Sequence, residues 1–273
     1  MSRFARNDKR DPRQEGVAKF MPEVMVQGKM GHYETGRSGL RPGRKSIIFV
    51  HGAGGGLTGW QAYLNPLDDR LNTLAIDLPG HGQSPGPGRQ TIEDYVQWLE
   101  ELIQALELPE VYLAGHSMGG AVAMRYARTF PQKVTGLVLV GTGARLRVTS
   151  QILGGIRAEF EKTVDFILKA CFAAEPAPAI RRETKRLMLQ AGPEVMWGDF
   201  YACNQFDMTS DLTSILVPCL ILCGRNDVLT PPKYSEYLHQ NITRSRLAVI
   251  PQSGHLLMVE SYSTVLTHLK SFL

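Results

Sequence analysis

The sequence predicts an α/β fold, a mostly parallel, doubly wound sheet that carries a helical insertion. Three observations lead there. Short apolar, β-branched runs such as SIIFV (46–50) and VYLAG (111–115) are bounded by turn residues. Between them lie segments whose apolar residues recur at helical spacing, and strands buried on both faces need such helices as cover. Third, residues 143–212 hold no clear strand, yet are too long for a structureless loop inside a compact domain.

In chain order, MSRFARNDKRDPRQEGVAKF (1–20) has six Lys or Arg against three acids and few apolar side chains. It is expected to be a disordered basic arm, and it lacks the apolar stretch of a secretory signal. VMVQGKMGHYETG reads as a hairpin turning near Gly28. SIIFV is the next strand, WQAYLNPLDDRL a helix, and NTLAIDL (72–78) a strand ended by turn-rich PGHGQSPGPG. In TIEDYVQWLEELIQALEL (91–108) Thr91 is the expected cap, and Val96, Leu99, Leu102, Ile103 and Leu106 share one face. VYLAG is a strand, MGGAVAMRYARTF a helix, and VTGLVLVGT (134–142) another strand. The insertion shows two helical stretches, ILGGIRAEFEKTVDFILKACF and RRETKRLMLQ, around the Pro-broken AAEPAPA. PCLILCG (218–224), helix PPKYSEYLHQ, strand SRLAVIP and a helix from about Leu256 follow. The expected core is therefore 21–142 and 213–273.

Composition narrows the function classes. With 43% apolar and 21% charged residues over 273 positions, the chain can bury a sizeable core. No apolar run reaches the length of a membrane span. The net charge of +4 is concentrated in the arm, and no nucleic-acid partner is expected. Cys171, Cys203, Cys219 and Cys223 form no CxxC pair and have no histidine at metal-ligand spacing. They read as buried free thiols of a reducing, cytoplasmic protein. Oligomeric state has no signature here.

Chemistry concentrates where VYLAG meets MGGAVAMRYA. Ser117 sits in G-x-S-x-G at a strand-to-helix junction, the setting of a nucleophile elbow. Gly115, Gly119 and Gly120 are the small neighbours such a turn demands. A serine hydroxyl needs an imidazole base, and the imidazole a carboxylate, following in the order Ser, Asp or Glu, His. Asp227 lies on the loop after CLILCG and His255 on the loop after SRLAVIP. Both are at carboxyl ends of expected parallel strands, where open α/β sheets place their sites. The glycine-rich loop after FVHG offers the Ala53 N–H as one oxyanion donor, and the elbow offers the Met118 N–H as the other. A rival reading takes Gly54, Gly56 and Gly59 as G-x-G-x-x-G and Asp77 as a ribose-binding acid. It sets His51-Gly52-Ala53 between strand and fingerprint and leaves Ser117, Asp227 and His255 without a role. A ligand-binding module of low turnover is the other alternative.

HGAGGG (51–56), DLPGHGQS (77–84), GHSMGG (115–120), LCGRNDVLTPP (222–232) and GHLLMVE (254–260) together resemble the α/β-hydrolase fold superfamily, in its cap-bearing branch of small serine esterases. The resemblance implies a catalytic triad of Ser117, Asp227 and His255, a helical cap formed by 143–212, and no metal or organic cofactor. It places Asp77 and His81 in a structural loop. Dehalogenases and epoxide hydrolases of the fold use an aspartate at the elbow. Carbon–carbon hydrolases typically carry Asn before the serine and Trp after the histidine, where this chain has His116 and Leu256. That pattern disfavours carbon–carbon hydrolysis without removing it, so esterase, thioesterase, lactonase, perhydrolase and C–C hydrolase chemistries remain, with a carboxylic ester as the expected small-molecule substrate. Met118, Leu256 and Leu257 suggest a small to medium hydrophobic acyl group. His116 is expected to pack or hydrogen-bond locally, Glu260 to favour a helix dipole, and His32, His239 and His268 to be exposed. Trp197, Phe200, Tyr201 and Phe206 are candidates for the pocket wall or for the insertion's own core.

Overall fold

The computed structural model describes residues 23–273, so the arm expected at 1–20 lies outside it. The hairpin comes first, as β1 (Glu23–Val26) and β2 (Lys29–Thr35). Gln27 and Gly28 both take positive φ, 52° and 72°, which a two-residue turn joining twisted strands requires. Next come β3 (Ser46–Val50), α1 (Gln61–Leu67), β4 (Asn72–Ile76) and α2 (Ile92–Ala105). They are followed by β5 (Val111–His116), α3 (Met118–Thr129) and β6 (Val134–Val140).

The eight strands run in the order β1-β2-β4-β3-β5-β6, then β7 (Cys219–Gly224) and β8 (Ser245–Ile250). Pairing is antiparallel through β1, β2 and β4, and parallel from β4 to β8. Every residue of β3, β4 and β7 is buried. Alternation along β3 explains this: Ile48 and Val50 enter the core layer under α2 and α3, while Ile47 and Phe49 enter the layer on the opposite face. The stripe on α2 is buried at Val96, Leu99, Leu102 and Ile103, and the Thr91 hydroxyl accepts from the Asp94 amide at 3.1 Å.

Between β6 and β7 lie α4 (Ser150–Ala158), α5 (Phe160–Cys171) and α6 (Pro178–Gln205). Ile156, Val164, Ile167, Met188 and Met196 form an apolar cluster of their own. The stretch that reads as one helix, ILGGIRAEFEKTVDFILKACF, is broken at Glu159 (φ −143°, ψ 63°). Helix α6 is interrupted at Gly192 (φ 79°, ψ 169°), and Pro193 follows, unable to donate an amide to the preceding turn. The chain ends in α7 (Pro232–Asn241), which precedes β8, then α8 (Leu257–Glu260) and α9 (Tyr262–Phe272). The helix expected from Leu256 is thus split at Ser261. Among the described residues no helix is long and apolar enough to cross a membrane. All four cysteines are buried and unpaired.

Candidate active site

Ser117 occupies the single residue between β5 and α3, at φ 52° and ψ −115°. L-residues rarely hold positive φ, and such strain persists only where surroundings fix it. Here the Ser117 amide donates to the Val140 carbonyl at 2.9 Å, and the Thr142 hydroxyl donates to the Ser117 carbonyl at 2.8 Å. The flanking glycines follow from contact distances. A methyl group at 115 would lie 2.1 Å from the Gly119 carbonyl oxygen, and one at 119 would lie 2.4 Å from that of Val50. The turn closes only without side chains there. At the start of α3 the Met118 amide has no acceptor among the described residues, as expected of a first-turn donor.

Asp227 and His255 extend from the ends of β7 and β8. The Asp227 Oδ1 accepts from the Leu229 and Thr230 amides at 2.9 and 2.8 Å. Its Oδ2 accepts from the Thr230 hydroxyl at 2.7 Å and faces His255 Nδ1 at 2.8 Å. Burial pushes the carboxyl pKa up, but His255 and these donors outweigh it and hold Asp227 below the ordinary carboxylate value. The imidazole is therefore fixed through Nδ1, and Nε2 has no partner among the described residues.

The histidine loop is anchored from three sides. His116 Nε2 donates to the His255 carbonyl at 3.0 Å, so the hydrogen bond it makes is to a partner 139 residues along the chain. The amides of His255 and Leu256 donate to the Cys171 carbonyl at 3.0 and 3.1 Å, at the end of α5. Glu260 accepts from the Gly254 amide at 2.9 Å and the Ala173 amide at 2.8 Å. It thus bridges loop and insertion, and it also stands in the first turn of α8.

The loop His51–Leu57 is equally constrained. His51 Nδ1 donates to the Gly52 carbonyl at 2.8 Å, and its Nε2 accepts from the Leu78 amide at 3.0 Å. Gly55 donates to that same Gly52 carbonyl at 3.0 Å, Gly54 to Asp199 Oδ2 at 2.8 Å, and Leu57 to Asp77 Oδ1 at 2.9 Å. The Ala53 amide has no acceptor among the described residues. A methyl group on Gly52 would lie 3.1 Å from Ser117 Cβ, so this loop rests on the elbow. Asp77 is consumed by Leu57, by the Gln83 amide at 3.0 Å and by His32 Nδ1 at 2.8 Å. His32, expected to be exposed, is 1% exposed because the hairpin packs it against Asp77. His81 pairs not with Asp77 but with Asp199, at 2.8 Å.

Ser117, His255 and Ala53 line one cavity of about 440 Å³. Ser117 Oγ makes no hydrogen bond among the described residues. The remaining wall is mostly apolar, with Ile152, Ile167, Ile180, Leu187 and Met188 from the insertion and Leu256, Met258 and Val259 from the core. Arg147 and Glu183 are its charged members, and Glu183 is paired with Arg186. Leu256 lines the cavity as expected. Met118 and Leu257 instead turn their side chains fully into the core. Of the four insertion aromatics only Phe200 reaches the cavity. Trp197 and Tyr201 stack on each other at 4.8 Å, and Phe206 joins the main core. Sequence reasoning missed Thr230 and Asp199. The readable signal for Asp199 is an acid on the buried stripe Met196, Ala202, Cys203 of α6.

Comparison with known proteins bears on this arrangement. The sequence model of the alpha/beta hydrolase family matches residues 47–266. The chain belongs to that family. This α/β-hydrolase superposes on a solved thermophilic esterase with a TM-score of 0.81 and 34% identity, covering 92% of this chain and 96% of the other. It is 26% identical over 241 residues to the pimeloyl-[acyl-carrier protein] methyl ester esterase of Nitrosomonas europaea, covering 82% of this chain and 92% of that one. It is 28% identical over 250 residues to a dihydrolipoyllysine-residue acetyltransferase component of the acetoin cleaving system of Pseudomonas putida. That match takes in 88% of this α/β-hydrolase but spans only 65% of the longer relative. The protein is therefore an enzyme of the α/β-hydrolase family with a mostly parallel eight-stranded sheet.

Proposed function

We propose that this α/β-hydrolase cleaves small to medium hydrophobic carboxylic esters through a Ser117–His255–Asp227 triad. The observation that carries the reading is the buried His255 Nδ1–Asp227 Oδ2 hydrogen bond of 2.8 Å, at the rim of the cavity that also holds Ser117 at positive φ. Two relatives named as esterases support it.

In this mechanism His255 Nε2 takes the Ser117 proton as the oxygen attacks the acyl carbonyl. Asp227 fixes the tautomer and stabilises the imidazolium. The Ala53 and Met118 amides receive the tetrahedral oxyanion, each donor worth about 3 kcal/mol in a comparable hydrolase. The alcohol leaves with a proton from His255. Water, deprotonated by the same imidazole, then releases the acid from Ser117. The reaction needs no metal or organic cofactor. Residues 143–212 act as a cap whose apolar side chains receive the acyl group, and a cavity of about 440 Å³ suits a small ligand.

Ser117→Ala tests this directly. Turnover of p-nitrophenyl butyrate is expected to fall by several orders of magnitude, about 10⁶-fold by analogy with subtilisin, with the melting temperature unchanged. Wild-type protein is expected to be labelled by a fluorophosphonate at Ser117. Retained turnover in the variant, or an unlabelled but folded wild type, removes the assignment.

A further inference from the structure

Asp199 lies on α6, in the insertion, and is fully buried with no part in the chemistry just described. One of its oxygens accepts from the Gly54 amide and from His81 Nε2, both at 2.8 Å, and the other from the Tyr95 hydroxyl. A buried carboxylate is costly unless paired and hydrogen-bonded, and this one has three donors. Burial works against charge on His81, but the Asp199 carboxylate outweighs it and raises the imidazole pKa. Both carboxylate oxygens of the cluster are hydrogen-bonded, and His81 Nδ1 also meets the Pro79 carbonyl. One of the carboxylate's three donors is the Gly54 amide.

That amide belongs to the peptide plane immediately after Ala53. The plane immediately before Ala53 carries the Ala53 N–H and the Gly52 carbonyl, which is held by Gly55 and His51. Fixing both planes fixes the backbone torsions of Ala53 between them. The loop supplies the first anchor from its own residues, whereas Asp199 supplies the second from outside. The neighbouring Gly198 seats this part of α6 directly on the core, since a methyl group there would lie 2.7 Å from the Arg89 carbonyl oxygen. Met196 closes over Gly54, whose φ is +61°.

We propose that Asp199 is a positioning residue for the oxyanion hole, so that the inserted helix and the loop's own hydrogen bonds together lock Ala53, whose N–H is the donor. This rests on the serine-hydrolase reading above. Asp199→Ala removes the acceptor, Asp199→Asn keeps a neutral one, and Tyr95→Phe removes another partner of the same carboxylate while leaving the Gly54 contact. Each full-length variant is compared with wild type in p-nitrophenyl butyrate turnover, melting temperature and inhibition by an alkyl trifluoromethyl ketone, whose serine adduct carries an oxyanion.

For Asp199→Ala, kcat is expected to drop about 30-fold with KM little changed, because misplacing a catalytic group by an ångström costs on the order of 100-fold. Inhibition by the ketone is expected to weaken by a similar factor. Asp199→Asn should lose only a few-fold in kcat, a neutral acceptor being roughly half as strong. Tyr95→Phe should lower the melting temperature and leave kcat alone. Wild-type kcat in both Asp199 variants, or kcat losses in all three that follow melting temperature, overturns the proposal. If Asp199→Ala does not fold, the contrast between Asp199→Asn and Tyr95→Phe decides, and equal kcat in the two overturns it. A wild type that neither hydrolyses the ester nor reacts with a fluorophosphonate defeats the serine-hydrolase reading itself, a distinct result.

Discussion

At Gly115 a single methyl group determines whether the elbow can close. Its clash is with backbone, at 2.1 Å from the Gly119 carbonyl oxygen, so no rotamer change relieves it. Gly115→Ala is expected to lose at least about 3 kcal/mol of stability, the upper end for overpacked sites, read as a lowered urea midpoint. The fraction that remains folded should label more slowly with a fluorophosphonate, because the displaced turn carries Ser117. The same scale shows what the sequence discloses and what it withholds. Ser117, Asp227 and His255 stand out because the chemistry proposed for them is tied to short local patterns. Thr230, three positions after Asp227, carries no such signal, since a threonine in a Pro-rich turn has many ordinary uses. The settings of His32 and Glu260 are hidden from a local reading because Asp77 and Ala173, a partner of each, lie 45 and 87 residues away in sequence.

Elements written in a local code are legible. The strands SIIFV, VYLAG and PCLILCG and the amphipathic α2 follow from periodicity and from one cap. Thr91→Ala should cost about 1 kcal/mol, the usual value of an N-cap hydroxyl, measurable as a lowered urea midpoint with ester turnover unchanged. Helix interruptions are harder to see. Glu159 and Ser261 leave helical geometry without glycine or proline at the break, where α4 turns onto α5 and α8 onto α9. The break at Gly192-Pro193 is chemically plain, but the buried side chains of Met188, Ala191, Met196 and Asp199 keep close to helical spacing across it. Side-chain direction is the other gap. Whether Met118 or Leu256 faces the cavity depends on the turn geometry beside each, which spacing alone does not encode.

Over the whole molecule, two buried imidazoles couple folding to pH. Burial, aided by the nearby His81, lowers the His51 pKa to about 4, and burial with His255 lowers that of His116 to about 3. Their ordinary value is 6.5, so as pH falls below it the unfolded chain takes up protons that the folded chain refuses. Their contribution is present in full above pH 6.5 and is lost as pH falls towards the folded values. Each gap corresponds to roughly 3–5 kcal/mol. His81, raised by Asp199, acts in the opposite sense: its contribution is full below 6.5 and lost as pH rises through its folded value. The urea midpoint should therefore be lower at pH 5 than at pH 7.5, and His116→Gln, which can still donate to the His255 carbonyl, should reduce the difference. An identical slope in that variant would rule out His116 as a source. Finally, the break at Gly192 splits α6 into a half that gives the cavity wall Ile180, Leu187 and Met188 and a half that is bolted to the core through Gly198 and Asp199 and gives the wall Phe200 and Cys203. Drift in the first half can retune which molecules fit without disturbing the second, so new preferences can evolve one helical turn at a time while the reaction machinery stays put.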